Sequence, residues 1–273
     1  MLSMKYIANE SGTILDALQN MAPEASKTRL RSWLKEGRVA LEGQPVDRPG
    51  HSVAKGQKIT LSARPRPSEL TILHQDRHLV AIDKPNGLLS VATHYQKDKT
   101  AHALLKQMGK PGRVFPVHRL DRETSGVMIF ALTEEGRDGL KSLFENHDII
   151  RRYEALVEGR LDKKRGLWKS YLHEDRNYLV HSGADPERGK LAVTHYEVLE
   201  TNNGISRLRL TLETGRKNQI RVHCQEAGHP VLGDKKYGPG RIPCKRLCLH
   251  ATLLELKHPI TGKRLALRSP TPF

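Results

Sequence analysis

The chain has 273 residues, with 46 Lys or Arg against 30 Asp or Glu and a formal net charge of +16. That length suits one large domain and a small one, and that charge favours a polyanionic partner such as nucleic acid through counterion release. No apolar run is long enough to cross a membrane, the N-terminus lacks the order of a secretory signal, and three cysteines are an odd number for a disulfide framework. A reducing cytoplasm is therefore the expected compartment. Aromatics make up only 5% of the chain, so the core is expected to be Leu, Val, Ile and Ala.

Residues 1–63 read as a small separate module. A helical pattern begins at Thr13, with Ile14, Leu15 and Leu18 on one face. Ser26 is placed as the N-cap of a second helix, Lys27 to Glu36, whose apolar face is Leu30, Trp33 and Leu34. Gly37 suits its C-terminus. The other side carries Lys27, Arg29, Arg31 and Lys35, with Arg38 just past the end, and is either a solvated face or a nucleic-acid contact. Short strands are expected around Val39–Leu41 and Ile59–Leu61, with Glu42-Gly43 as a turn. The pattern from Ser26 to Leu61 resembles the RNA-binding module named after ribosomal protein S-four. The resemblance covers residues 11–62 and implies that Lys27, Arg29, Arg31, Lys35 and Arg38 face RNA. Where that module commonly has Val-Asn-Gly, this chain has Leu41-Glu42-Gly43. Two prolines among charged residues make 64–69 a linker.

From residue 70 the pattern becomes strand-rich. Leu70–Leu73 and Leu79–Asp83 read as strands around a polar turn, and Lys84-Pro85-Asn86-Gly87 carries strong turn chemistry. Thr100 to Met108 reads as a helix. Next comes His118-Arg119-Leu120-Asp121-Arg122-Glu123-Thr124-Ser125-Gly126, followed by the apolar run Val127–Leu132, which reads as a strand buried on both faces. A charged loop is thus delivered onto the end of a core strand. An Asp between two arginines is held ionised and in place, as a carboxylate nucleophile or base requires; the same charges also suit a plain ion-pair network. Thr133 to Phe144 is expected as a helix capped by Thr133, with Leu140, Leu143 and Phe144 inward. In Arg151–Gly159 the alternation puts Tyr153, Ala155 and Val157 on one face.

Residues 160–190 are polar and turn-rich, and no regular element is assigned there. Arg207–Glu213 alternates as a strand and opens onto Thr214-Gly215-Arg216-Lys217-Asn218-Gln219-Ile220-Arg221. Between Lys235 and Arg268 there are nine Lys or Arg and one acid, Glu255, a second surface suited to RNA. Cys244 and Cys248, with His250 nearby, are too few for a zinc site, and no nucleotide-binding or metalloprotease motif is present.

Four blocks in this order resemble the RluA-type pseudouridine synthases: the Lys-Pro-x-Gly turn at 84–87, His118-Arg119-Leu120-Asp121, the strand containing Tyr153, and Thr214–Arg221. In the last block the usual Thr-His is replaced by Lys217-Asn218. The resemblance implies an α+β fold, with a mixed, mainly antiparallel β-sheet flanked by helices over residues 70–273, and a redox-neutral isomerisation needing no cofactor and no metal. It implies Asp121 as the catalytic carboxylate, with Arg221 paired to it. Tyr153 would lie in the active site, as a stacking partner of the base or as a general base; by position alone it reads as a core tyrosine. Arg119 would hold the RNA with its base flipped out or contact a phosphate. Lys84 is either structural or a phosphate contact, and Leu88 and Ile220 would wall the site against water. The expected partner is RNA, ribosomal RNA ahead of transfer RNA, bound by a monomer with no membrane association. A non-catalytic RNA-binding or ribosome-assembly protein is the alternative, and a carboxylate-dependent nucleic-acid hydrolase is a more distant one.

Overall fold

The computed structural model describes residues 4–35, 38–62, 70–93, 96, 99–108, 113–238 and 244–273. The expected helix end at Glu36 and Gly37, the side chain of Lys35 and the linker 64–69 lie outside the described residues. The chain divides into two compact units, Met1–Glu69 and Leu70–Phe273.

The first unit contains β1 (Met4–Ile7), β2 (Gly12–Thr13), α1 (Ile14–Met21), α2 (Lys27–Lys35), β3 (Val39–Leu41), β4 (Gln44–Pro45), β5 (Ser52–Val53) and β6 (Lys58–Leu61). Its four-stranded sheet runs β1-β6-β3-β4. Thr13 caps α1 through a capping box with Asp16, and the Ser26 hydroxyl accepts from Arg29 N–H at 3.3 Å at the start of α2. Ile14, Leu18, Leu30, Trp33 and Leu34 pack with Val39 and Ile59 in one core. Ala17 rather than Leu15 completes the buried face of α1.

The second unit contains β7 (Thr71–Gln75), β8 (Leu79–Lys84), α3 (Ala101–Met108), β9 (Phe115–Pro116), β10 (Ser125–Ala131), α4 (Glu134–Glu145), β11 (Ile150–Glu158), β12 (Arg165–Glu174), β13 (Val180–Gly183), β14 (Lys190–Asn202), β15 (Ile205–Leu212), α5 (Gln219–Glu226), β16 (Leu249–Lys257) and β17 (Arg264–Arg268). They form one 11-stranded sheet, in the order β13-β12-β14-β15-β11-β16-β10-β8-β7, with β17 on β16 and β9 on β10. The pairing is antiparallel except between β10 and β16, which run parallel through Ser125–His250 and Gly126–Ala251. The expected mixed, mainly antiparallel sheet is what the chain forms.

The apolar run after Gly126 is the centre of this sheet. All seven residues of β10 are buried. Burying side chains the size of Val127, Met128, Ile129 and Phe130 contributes about 1.5–3 kcal/mol each, so the strand is a fixed rail. Gly126 sits at φ 112°, and a Cβ there would collide with the backbone of Ala251. Only glycine permits the parallel approach of β10 to β16. Thr133 caps α4 as expected, accepting from Gly136 N–H at 3.1 Å.

Two regions differ from the sequence reading. Residues 160–190, where no element is expected, hold β12, β13 and the start of β14. Their apolar positions are interrupted, and Leu167 is 50% exposed, so no continuous buried face marks them as strands. The segment after Thr214 turns into α5, whose first six residues are buried.

Candidate active site

Asp121 lies at the floor of a cleft of about 510 Å³ that is also lined by Arg119, Tyr153, Asn218, Ile220 and Arg221. The loop that carries it is fastened on both sides. The Ser90 hydroxyl donates to Leu120 O at 2.7 Å and accepts from Leu120 N–H at 3.1 Å. Beyond Asp121, Gly87 N–H donates to Arg122 O at 2.9 Å, and the Asn86 amide donates to Glu123 O. His118 Nε2 accepts from Ile129 N–H at 3.0 Å, which ties the start of the loop back to β10. Burial pushes the His118 pKa down to about 3, aided by the nearby Arg151 charge, so this ring is a neutral acceptor. Its structural role went unassigned in the sequence, although it lies within the most informative stretch.

Of the two readings of Lys84, its contacts fit the structural one, while Leu88, expected as a wall of the site, lies elsewhere. The Lys84 side chain is fully buried. Its ammonium donates to Pro85 O at 3.1 Å, Leu88 O at 2.7 Å and Arg122 O at 3.2 Å. Those three bonds use every N–H an ammonium has, so Lys84 is a fastener of the loop that carries Asp121. Leu88 packs into the core beside Leu120 and Met128 and is absent from the cleft wall, whereas Ile220 is part of it.

The arginines around Asp121 are also arranged differently from the expectation. Arg119 is exposed and makes no ion pair among the described residues, which leaves it available to RNA. Arg122 donates to Gly87 O at 3.1 Å. Neither flanking arginine pairs with Asp121. Arg221 does approach it, at 3.9 Å, but its main partner is Asp234, held by two bonds of 2.7 Å. Desolvation opposes the Arg221 charge, and the Asp234 carboxylate outweighs it and holds the guanidinium protonated.

The closest donor to Asp121 is Asn218, whose side-chain amide gives a 2.6 Å bond to Asp121 Oδ2. The amide oxygen of Asn218 accepts from the Tyr237 hydroxyl at 3.2 Å, which itself accepts from Val180 N–H at 3.0 Å. Asn218 is 7% exposed, with φ 54° and ψ 18°, and makes no cap for α5. Asn is among the few residues that tolerate this left-handed geometry. Its side chain forgoes the helix cap to aim at Asp121. The replacement of the usual Thr-His was visible in the sequence; the contact was not. Asp121 Oδ1 has no hydrogen bond among the described residues and is the oxygen left open to the cleft.

Tyr153 projects from β11 into the cleft. Burial pushes its pKa up to about 12, against the nearby Arg151 and with the Asp121 charge. A phenolate is therefore rare at neutral pH, which disfavours the general-base reading and favours the ring as an apolar surface and the hydroxyl as a donor. The Cys244, Cys248 and His250 group is not arranged as ligands, because both His250 nitrogens are engaged, by Ser125 at 2.8 Å and Ser269 at 2.9 Å.

Residues 78–226 match the family model of RNA pseudouridylate synthase. The chain belongs to that family. It is 34% identical to the ribosomal large subunit pseudouridine synthase D of Vibrio cholerae serotype O1, over 97% of this chain and 89% of the relative. It is 35% identical to the enzyme of the same name from Pseudomonas aeruginosa, over 92% and 85%. Among solved structures, human RNA Pseudouridylate Synthase Domain Containing 1 superposes with a TM-score of 0.65 at 26% identity, over 76% of this chain and 85% of that one. No helix among the described residues is long and apolar enough to cross a membrane.

The basic residues of the first unit are only partly as expected. Lys27, Arg29 and Arg31 are exposed. Arg38 is instead tied down: it donates to Ser62 O at 3.2 and 3.1 Å and lies 5.5 Å from the Trp33 ring centroid.

Proposed function

We propose that this pseudouridine synthase isomerises specific uridines of large-subunit ribosomal RNA, with Asp121 as its catalytic carboxylate. The observation that carries the residue assignment is the fastened loop, which offers Asp121 Oδ1 to the cleft while Oδ2 is bound by Asn218. The names of the relatives support the RNA. In the reaction the bond between the ribose and the uracil nitrogen breaks, the base turns, a bond forms between the ribose and carbon 5, carbon 5 loses its proton, and the freed nitrogen gains one. Nothing is oxidised or reduced. Attack by Asp121, on the ribose or on the ring, divides one hard step into easier ones.

The target base must leave its stack, at a cost of a few kcal/mol. Arg119, which lines the cleft and makes no ion pair among the described residues, would hold the opened RNA. The Tyr153 ring and Ile220 would pack against the uracil and exclude water from the cleaved intermediate. The first unit, by its resemblance to the ribosomal-protein-S-four module, would hold structured RNA through Lys27, Arg29 and Arg31. The protein would act as a cytoplasmic monomer.

Chemical mapping of pseudouridine on unmodified large-subunit ribosomal and transfer RNA transcripts tests this. New modification stops in the ribosomal transcript with the native protein and none with Asp121→Asn are expected. Stops confined to transfer RNA would overturn the substrate, and modification by Asp121→Asn would overturn the catalytic assignment.

A further inference from the structure

The tip of the β12–β13 hairpin presents an aromatic ring to water. Tyr178 is 72% exposed, the most exposed large apolar side chain among the described residues. Its backbone sits at φ 61°, a left-handed conformation that is costly for a bulky residue and that Gly or Asn would adopt with less strain. The strain is held in place by Asp175. Asp175 Oδ1 accepts from Asn177 N–H at 2.8 Å and Leu179 N–H at 2.9 Å. Its backbone exchanges bonds with Leu179 O and Tyr178 N–H, at 2.9 and 3.0 Å. The ring is thus exposed on a rigid mount and not on a loose loop.

One cation meets this ring, and two more belong to the same turn or bind its backbone. Lys217 Nζ lies 5.5 Å from its centroid, within the range of a cation–π contact. Lys236 Nζ donates to the Tyr178 carbonyl at 2.7 Å. Arg176, two residues before, is exposed and makes no ion pair among the described residues. The acids nearby are Glu174, paired with Lys217, and Asp175, paired with His181.

The mount is wired to the catalytic carboxylate. Lys217 immediately precedes Asn218, which binds Asp121. Lys236 N–H donates at 2.9 Å to Asp234, the partner of Arg221. Val180, two residues past Tyr178, joins Asp121 through Tyr237 and Asn218. An open groove of about 630 Å³, whose charged lining is Glu174, Glu187, Arg188, Lys190, Arg216 and Lys217, runs along the same hairpin and shares Gly215 and Arg216 with the active-site cleft.

We propose that Tyr178 is a stacking platform for an unpaired nucleobase of the RNA beside the target uridine, with Lys217, Lys236 and Arg176 meeting the adjoining phosphates. Every nucleobase has a π-face, so such a platform binds without reading sequence. It suits an enzyme whose substrate must be opened around the flipped base, because a neighbour that loses its stacking partner regains one on the protein. The inference rests on RNA being the substrate.

Two readouts keep the platform and that premise apart. The affinity of the full chain for an unmodified large-subunit ribosomal RNA transcript, at salt high enough to suppress non-specific binding, decides the platform. Pseudouridine formation on the same transcript by the native protein decides the premise. Tyr178→Ala is expected to weaken binding by roughly 5- to 100-fold. Tyr178→Phe and Tyr178→Trp should stay within about twofold of native. Tyr178→Gly, which relieves the backbone strain, should be as weak as Ala. Unchanged affinity in the Ala variant overturns the platform whatever the activity, as does a Phe variant as weak as Ala. A melting temperature for the Ala variant equal to that of the native protein shows that the loss comes from the ring.

Discussion

At Asp121 the nearest donor is an amide, and an amide does not titrate. Asn218 therefore orients the carboxylate at every working pH, while the Arg221 charge is shared between Asp121 and Asp234. A hydrogen bond to a charged group is worth about 1.5–3 kcal/mol. If that bond is needed to aim the attacking oxygen, Asn218→Ala should lower kcat by roughly 10- to 100-fold with KM within about threefold. Steady-state kinetics on the mapped transcript checks this, and an effect confined to KM would mean that Asn218 holds RNA instead. Asp121, Tyr153 and Ile220 were legible in the sequence because each lies in a short block whose residue types match a family pattern. The Asn218 contact was not, because it joins positions 97 residues apart and depends on a left-handed backbone that residue identity alone does not announce. In the sequence Lys84 reads as either structural or a phosphate contact. A lysine beside a turn leaves both open, and the three carbonyls that close around it in the fold fit the structural reading.

Among the elements, the β7–β8 turn gives a pH signature. Partial burial works against the Asp76 charge, but hydrogen bonds from His74 and from the N–H groups of His78 and Leu79, with the nearby His258, pull its pKa down to about 2. His258 reaches Asp76 at 3.0 Å from the loop after β16, so the contact fastens two distant parts of the sheet. The folded-state pKa lies below the ordinary aspartate value of 3.8. The stabilisation is therefore complete above pH 4 and lost as pH falls towards 2. Denaturant unfolding of the native protein and Asp76→Asn should show a stability gap that is constant from about pH 5 to 7 and narrows below pH 4; a gap that persists at pH 2 would contradict the assignment. Of the strands that were legible, β8, β10 and β15 stand out because their apolar residues are contiguous or cleanly alternating. β12 and β14 were illegible because much of each surface is wet, and their pairing with each other, rather than burial, defines them.

Across the whole chain, the net charge of +16 makes RNA affinity steeply dependent on salt. If Lys27, Arg29 and Arg31 each neutralise one phosphate, replacing all three by Ala should reduce the magnitude of the slope of log K against log salt by about 2–3. Filter binding between low and moderate salt measures it, and an unchanged slope would remove the first unit from the RNA contact.

The parallel pairing of β10 with β16 also bears on how the enzyme is made. The Asp121 loop is fastened by residues 84–90, but the strand that follows it is closed by His250, which bonds Ser125 and Ser269, and Ser269 in turn bonds Asp83 at 2.8 Å. A nascent chain emerging from the ribosome can complete its first unit early, since domains fold as units during synthesis. The cleft has no such option. Its first and last fasteners are 185 residues apart, from Lys84 to Ser269, so a translating ribosome would carry a folded first unit well before it carried a complete cleft.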